Sequence, residues 1–537
     1  MSGSKLETLV ESPRLVSSRK GDEMTEKGEV NSFNWWSNSP RNGVHSRHSA
    51  STLSLITTCP SSQFSESSDS PKDGEPLLVM KFGGSSLATL QHLRRVASIV
   101  SSYIERRPLL VLSAMGKTTD LLLASAQLAL KEGKVEFCKP REVHESVFSE
   151  LKIPVPAEII DLFEELGQLL LGISYLQEIS PFVRDRVVSF GERLSIRTFT
   201  AVFNHLAETN LDAKAIDSWE AGMITTGAGT SSASSTYSRC EVTSEAYTNL
   251  NHYFAPLRHD YAYVPVVTGY IAKDTNGTIT TLGRDGSDIS ATILGAAIQA
   301  SEVQVWKDVD GVMTTDPRVI DSARKVDLMT FEEASELSAF GSKVVHPSAI
   351  LPAWKAQVPM SVRNSLRPDH PGTQIVMDLA NTNIRREGLV AALSSKKNIV
   401  MVVIRSNRAL AQYAFLAHLF KVFKKLELNS DVINISEATL SLTIDPSYHE
   451  VDLAALQRDL QKVAQVELRF HMAQLTAIAR KKDSSEVLHD SLEAFEKADV
   501  PIEMVCQGAS NVNVTFIMED ERLMAGTRVL HECFFGK

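Results

Sequence analysis

Two spacings of apolar positions recur along this 537-residue chain. Residues 77–86, LLVMKFGGSS, begin as a continuous apolar run, which predicts a strand buried on both faces and ended by a double glycine. A helix is expected from about Leu87, with Leu90, Leu93, Val96, Ala97 and Val100 recurring at helical spacing on one face. Residues 109–113 repeat the strand signal and run into SAMGKTTD, so the opening reads β-loop-α-β-loop and implies a parallel α/β sheet. Helical patterns follow over 121–130 and 158–176, and SFGERLSIR, 189–197, places a Gly–Glu pair at a predicted helix start. Residues 264–268, 278–282 and 302–306 read as further strands, and 225–238, rich in Thr, Ser, Gly and Ala, as a surface loop.

Beyond a boundary between about 371 and 396 the chain repeats itself. A shift of 72 residues lays Phe423 on Phe495, Asp431 on Glu503, and the strand at 439–444 on 511–516. Each copy is expected to run strand, helix, strand, strand, helix, strand, giving two α+β modules of ferredoxin-like order. The expected division is a tail at 1–75, an α/β domain at 76–378, a linker at 379–395, and modules at 396–466 and 467–537.

Composition narrows the function. A net charge of -10 provides no basic footprint for nucleic acid or anionic lipid, so neither partner is expected. The five cysteines lack CxxC spacing and suggest neither a disulfide framework nor a zinc site. The tail carries no acidic residue from 31 to 65, as a plastid or other transit peptide would, but acids precede that stretch. It reads either as a transit peptide, with a chloroplast location, or as a disordered tail of a cytoplasmic protein.

The chemistry concentrates in GRDGSD, 283–288. Gly283, Gly286 and Ser287 let backbone N–H groups turn toward an anion before a helix expected near Ser290, as in a phosphate site. Lys307, Asp308 and Asp310 follow the next strand at its carboxyl end, where ligands of open α/β sheets gather. SAMGKTTD is not a phosphate loop of the GxxxxGK[ST] type, because Val111 takes the place of the first glycine.

These pieces, in this order, resemble aspartate kinases of the amino-acid kinase family, most closely the plant-type monofunctional form with two C-terminal ACT domains. The motifs are KFGGSS from Lys81, SFGE from Ser189, TTLGRDGSD from Thr280, VWKDVDGVMTTDPR from Val305 and FGSKVVHP from Phe340. VRNSLRPDHPGTQI from Val362, SDVINISE from Ser430, QGASNVNVTFI from Gln507 and LHECFF from Leu530 complete the set. The resemblance implies an α/β amino-acid kinase fold with a mainly parallel central sheet, followed by two βαββαβ ACT domains. It implies transfer of the γ-phosphoryl of ATP, with Mg2+, to the β-carboxylate of L-aspartate. That acceptor is already ionised at neutral pH, so positioning and charge neutralisation carry the catalysis.

By the same resemblance Lys81, Arg284 and Asp288 are the catalytic candidates, Lys81 contacting the transferred phosphoryl group and Asp288 orienting it. Ser113, Thr119, Glu192, Tyr270, Arg284 and Ser287 are implied to bind aspartate, with Arg284 gripping a carboxylate and Glu192 taking the ammonium. Read from the helix pattern alone, Glu192 is also explained as a favourable charge near a helix N-terminus. Lys81, Gly83, Gly84, Lys307, Asp308, Met313, Arg318 and Lys343 are implied to bind ATP. Met313 replaces a tyrosine common in bacterial relatives.

The ACT domains imply a homodimer or homotetramer and feedback by an amino acid, lysine first among candidates. The implied effector residues are Ala409, Ala414, Asp431 and Ser436. Ala409 and Ala414 stand where lysine-sensing relatives carry Met and Gly, and Ile435 replaces a threonine. Asp285 departs from the family's GRGGSD: turned inward it would oppose ATP, turned outward it would be harmless. The alternative to an active kinase is a weakly active or inactive effector-binding regulatory subunit of the same fold.

Overall fold

The computed structural model describes residues 75–206, 209–227, 240–283, 285–341, 345–377, 388–405, 413–426, 428–445, 450–462, 464–480, 484–508 and 510–536. The expected tail, apart from Glu75, lies outside them, as do Arg284, Lys343 and Ala409; of Ala414 only the backbone is described.

Eight strands form the first sheet, in the order Ala213–Ile216, Val264–Thr268, Pro108–Leu112, Leu78–Phe82, Glu302–Lys307, Met360–Asn364, Thr373–Val376 and Leu328–Thr330. The first six are parallel; the pairing of Met360–Asn364 with Thr373–Val376 is antiparallel. The continuous apolar runs behave as predicted, because alternate residues enter cores on opposite faces. Leu77, Val79, Leu109 and Val111 join one core, and Leu78, Met80, Phe82, Leu110 and Leu112 the other. Phe82 and Trp306, partners in register, stack with ring centroids 5.7 Å apart.

The helix after the first strand is Leu90–Ser102, preceded by a 3-10 turn at Gly84–Leu87 and capped by Thr89, whose side chain accepts from the His92 N–H. The patterns at 121–130 and 158–176 become Thr118–Glu132 and Ala157–Leu176. SFGE starts no helix but sits in the middle of a 26-residue one, Pro181–Leu206, so the helix N-terminus explanation of Glu192 falls. Gly191 serves packing instead: a Cβ there would lie 2.8 Å from the Ala114 Cβ, so glycine lets this helix press against the loop after Pro108–Leu112. The phosphate-loop helix also begins earlier than expected, as Gly286–Ala297, with Asp285 in a left-handed conformation at its entry.

The second sheet has six strands, ordered Ser430–Ile435, Thr439–Ile444, Val390–Arg405, Gln465–Ala479, Asn513–Glu519 and Met504–Gln507. Helices Tyr413–Lys425 and Ser484–Lys497 stand at equivalent places in the two copies, as the 72-residue repeat requires. The expected boundaries fail. Residues 390–395 are not linker, and 396 falls inside a single 16-residue strand. Its second half pairs with Thr439–Ile444 and its first half with the end of Gln465–Ala479. The second copy ends on a helix, Leu523–Phe535, and the edge position expected for a last strand is filled by 390–396. The two modules therefore share two long strands, and each keeps its own core.

Candidate active site

Parallel strands end on the same edge, and the predicted chemistry collects there. Lys81 is the fourth residue of Leu78–Phe82, Ser113 follows Pro108–Leu112, Tyr270 follows Val264–Thr268, and Lys307 closes Glu302–Lys307. The loop after Phe82 is held to the loop after Leu112 by backbone bonds from Ser113 N–H to Phe82 O, 3.2 Å, and Gly116 N–H to Gly84 O, 3.0 Å. A Cβ on Gly84 would stand 2.7 Å from the Ala114 carbonyl oxygen, so the double glycine permits this close approach.

Between these loops and the Gly286–Ala297 helix lies a cavity of about 280 Å3. Lys81, Ser113, Thr119, Glu192, Tyr270, Ser287, Gly84 and Asp285 line it, with Ala114, Gly116 and Gly286. Six predicted aspartate or phosphoryl residues are thus brought together. Asp288 is buried beneath them, its carboxylate 2.5 Å from the Lys81 Nζ and 3.2 Å from the Lys307 Nζ. Burial opposes ionisation of Asp288, but the two ammonium groups outweigh it and hold the carboxyl below its ordinary range. The carboxylate fixes two cations side by side while leaving a net positive charge, as a phosphoryl transfer site needs.

Glu192 is the opposite case. Its Oε1 accepts from the Ala114 N–H at 3.3 Å, but its buried Oε2 has no partner among the described residues. Burial pushes its carboxyl up to about 8, against the smaller opposing pull of the Ala114 N–H and of Lys81. An unpaired carboxylate oxygen facing a cavity is a place for a ligand cation. Helix Pro181–Leu206 is held there by Ser195, whose hydroxyl donates to the Ser113 carbonyl at 2.7 Å, and by Arg197, which grips Asp217 with two bonds of 3.2 Å.

Other predicted residues lie elsewhere. Gly83 adjoins the Lys81 ammonium without lining the cavity. Asp308 is exposed beyond the strand end, and Met313 bridges to Lys325. Arg318 is 87% exposed and bound to Asp316 at 2.7 Å, so its charge is spent locally. Asp285 is exposed at the cavity mouth with φ 56°. Asp431 and Ser436 belong to the second sheet and its following turn. Sequence reasoning assigned no role to Ser86 and Ser365, whose hydroxyls meet at 2.9 Å and tie KFGGSS to VRNS; the presence of both motifs was the available signal. Among the described residues no group of three or more His, Cys, Asp or Glu is placed to hold a metal, and no helix is long and apolar enough to cross a membrane.

The model of the amino acid kinase family matches residues 76–364, and an ACT domain model matches 481–534. The chain is 37% identical over 471 residues to chloroplastic aspartokinase 1 of Arabidopsis thaliana, covering 85% of this chain and 80% of the relative. Escherichia coli aspartokinase III, solved with aspartate and ADP in an R-state, is 29% identical with a TM-score of 0.66 over 85% of this chain and 99% of that one. The same enzyme with lysine and aspartate in a T-state is 28% identical, with a TM-score of 0.66 over 86% and 99%. This chain, with its parallel sheet and paired lysines, belongs to the amino acid kinase family. Within that family it falls in the aspartokinase branch, ACT domains included.

Proposed function

We propose that this protein is an ATP-dependent aspartate kinase forming 4-phospho-L-aspartate, the entry step to lysine, threonine, methionine and isoleucine. The observation that carries the reading is the Lys81–Asp288–Lys307 cluster, whose Lys81 lines the same cavity as Glu192, a buried carboxylate with one oxygen unpartnered among the described residues. An amino acid whose ammonium meets Glu192 directs its side chain toward the lysine cluster. There a β-carboxylate oxygen forms a bond to the γ-phosphorus while the bond from that phosphorus to the bridging oxygen breaks, and ADP leaves with the electron pair. Lys81 and Lys307 neutralise the equatorial charge, and Ser113, Thr119 and Ser287 add hydroxyls around the acceptor. Arg284 and Lys343 keep the roles the resemblance implies, a carboxylate grip and an ATP cation. Mg2+ would supply further neutralisation when it arrives with ATP, held mainly by phosphates and water.

The ACT sheet supports feedback by an amino acid, lysine first, and assembly of two or four copies through that sheet. The similarity to a chloroplastic relative supports a plastid location. One observation favours the weakly active alternative: Asp285 brings an exposed carboxylate to the mouth of an anion site. Trapping the acyl phosphate with hydroxylamine separates the readings. Hydroxamate formed with aspartate, but not with glutamate or without acceptor, is expected; none with aspartate would leave the regulatory subunit.

A further inference from the structure

The strand Val390–Arg405 touches both functional regions within four residues. The Leu393 N–H donates to the Thr314 carbonyl at 2.7 Å, next to the nucleotide candidate Met313. The Ser394 hydroxyl donates to the Phe340 carbonyl at 2.9 Å, at the end of helix Phe331–Ala339. The Lys396 stem lies on Gly341, where an added Cβ would be 3.0 Å from two of its carbons. Its ammonium donates weakly to the Ala339 carbonyl, 3.4 Å, and pairs with Asp431 at 2.6 Å, with Asp445 at 3.9 Å.

The last turn of helix Phe331–Ala339 contains no basic residue of its own. Lys396 supplies that cation from the neighbouring sheet, as the negative end of a helix favours. The same ammonium occupies the carboxylate of Asp431, the residue proposed to meet an effector amine. The Lys396 side chain is 16% exposed and that of Asp431 25%, so the pair is partly sheltered from solvent. An effector ammonium that reaches this carboxylate meets a position that Lys396 already fills, so the two cations compete for it.

We infer that Lys396 is a built-in occupant of the effector's amine position, a positioning residue that ties the kinase domain to Asp431 and that an effector ammonium displaces. Displacement frees Lys396 from Asp431 and loosens its hold on the Phe340–Gly341 turn. The strand it sits on also holds Thr314, so the change reaches the nucleotide segment without a separate linker. The ligand class is a small molecule with a primary ammonium. This inference rests on the proposed role of Asp431.

A double-mutant cycle read in the KM for ATP, without any effector, tests the tether. Lys396→Met and Asp431→Asn should each raise that KM by about fivefold, and the double variant no further, since coupling through such contacts is worth a few-fold to some tens-fold. Lys396→Arg should retain the parent value, and melting temperatures should show that all variants are folded. An unchanged KM, or effects that multiply, overturns the tether. L-lysine titrated calorimetrically into the full-length protein tests displacement: Lys396→Met should bind it about fivefold more tightly than the parent. Equal affinity overturns displacement. Heat from neither protein removes the lysine reading of Asp431 and displacement with it, and the cycle in ATP KM then decides the tether by itself.

Discussion

The kinase site and the ACT sheet solve the problem of bringing distant residues together in different ways. At the site, each functional side chain stands at or just beyond the end of a parallel strand or on a helix packed over those ends. The sheet registers them, and each short motif carries its own contribution. In the ACT sheet no such motif is complete. Two long strands pass through both modules, so each module depends on strands it shares with the other. The first arrangement localises damage; the second spreads it.

The largest effect is expected from removing one charge from the kinase site. Lys81→Met should lower kcat by about a thousandfold with little change in melting temperature, as loss of a preorganised transition-state cation does. Comparable damage to stability would show that the site is not local. In the ACT sheet the converse is expected. Ala392 is fully buried in the shared strand, and Ala392→Asp should destabilise the protein by about 4 kcal/mol in denaturant unfolding, through both modules together.

Glu192 sharpens the contrast further. Glu192→Gln should raise the KM for aspartate by about fiftyfold, since a neutral amide replaces the partner of an ammonium. The parent kcat/KM for aspartate should climb about tenfold per pH unit below pH 8 and level off above it, because burial sets that carboxyl at about 8. Linkage gives the sign for stability. The folded state holds this proton more tightly than the unfolded chain, so ligand-free protein loses stability as pH rises from the ordinary glutamate range through about 8. Glu192→Gln should flatten that decline in melting temperature. The smallest effect is expected at the cavity mouth: Asp285→Gly should lower the KM for ATP by about threefold, relieving both an exposed charge and a left-handed non-glycine residue. An unchanged value would show that the carboxylate faces away from the nucleotide.

What the sequence revealed follows the same division. The buried strands at 77–82, 109–113 and 264–268 were legible because apolar runs bounded by glycine or polar turns have few other solutions, and Lys81 and Lys307 were placed by the strands that carry them. Glu192 was found as a residue but misplaced in its helix. The Gly–Glu pair reads locally as a helix start, whereas the missing side chain of Gly191 serves contact with Ala114, which no local pattern announces. The 72-residue repeat located the ACT helices and strands but not which strand closes which module. Pairing is set by long-range register, and the repeat is equally compatible with a module closed by its own chain. Arg318 was assigned by its place in a motif, yet a carboxylate two residues away holds it at the surface.

The shared strand Val390–Arg405 bears on how such a regulatory half can change over evolutionary time. Two modules that look like a duplicated cassette cannot be gained, lost or exchanged one at a time. Removing residues after 466 would leave 390–396 as an uncovered apolar sheet margin, prone to pairing with other chains. Each must be inherited with its neighbour, which leaves edge strands such as Ser430–Ile435 as the places freest to diverge.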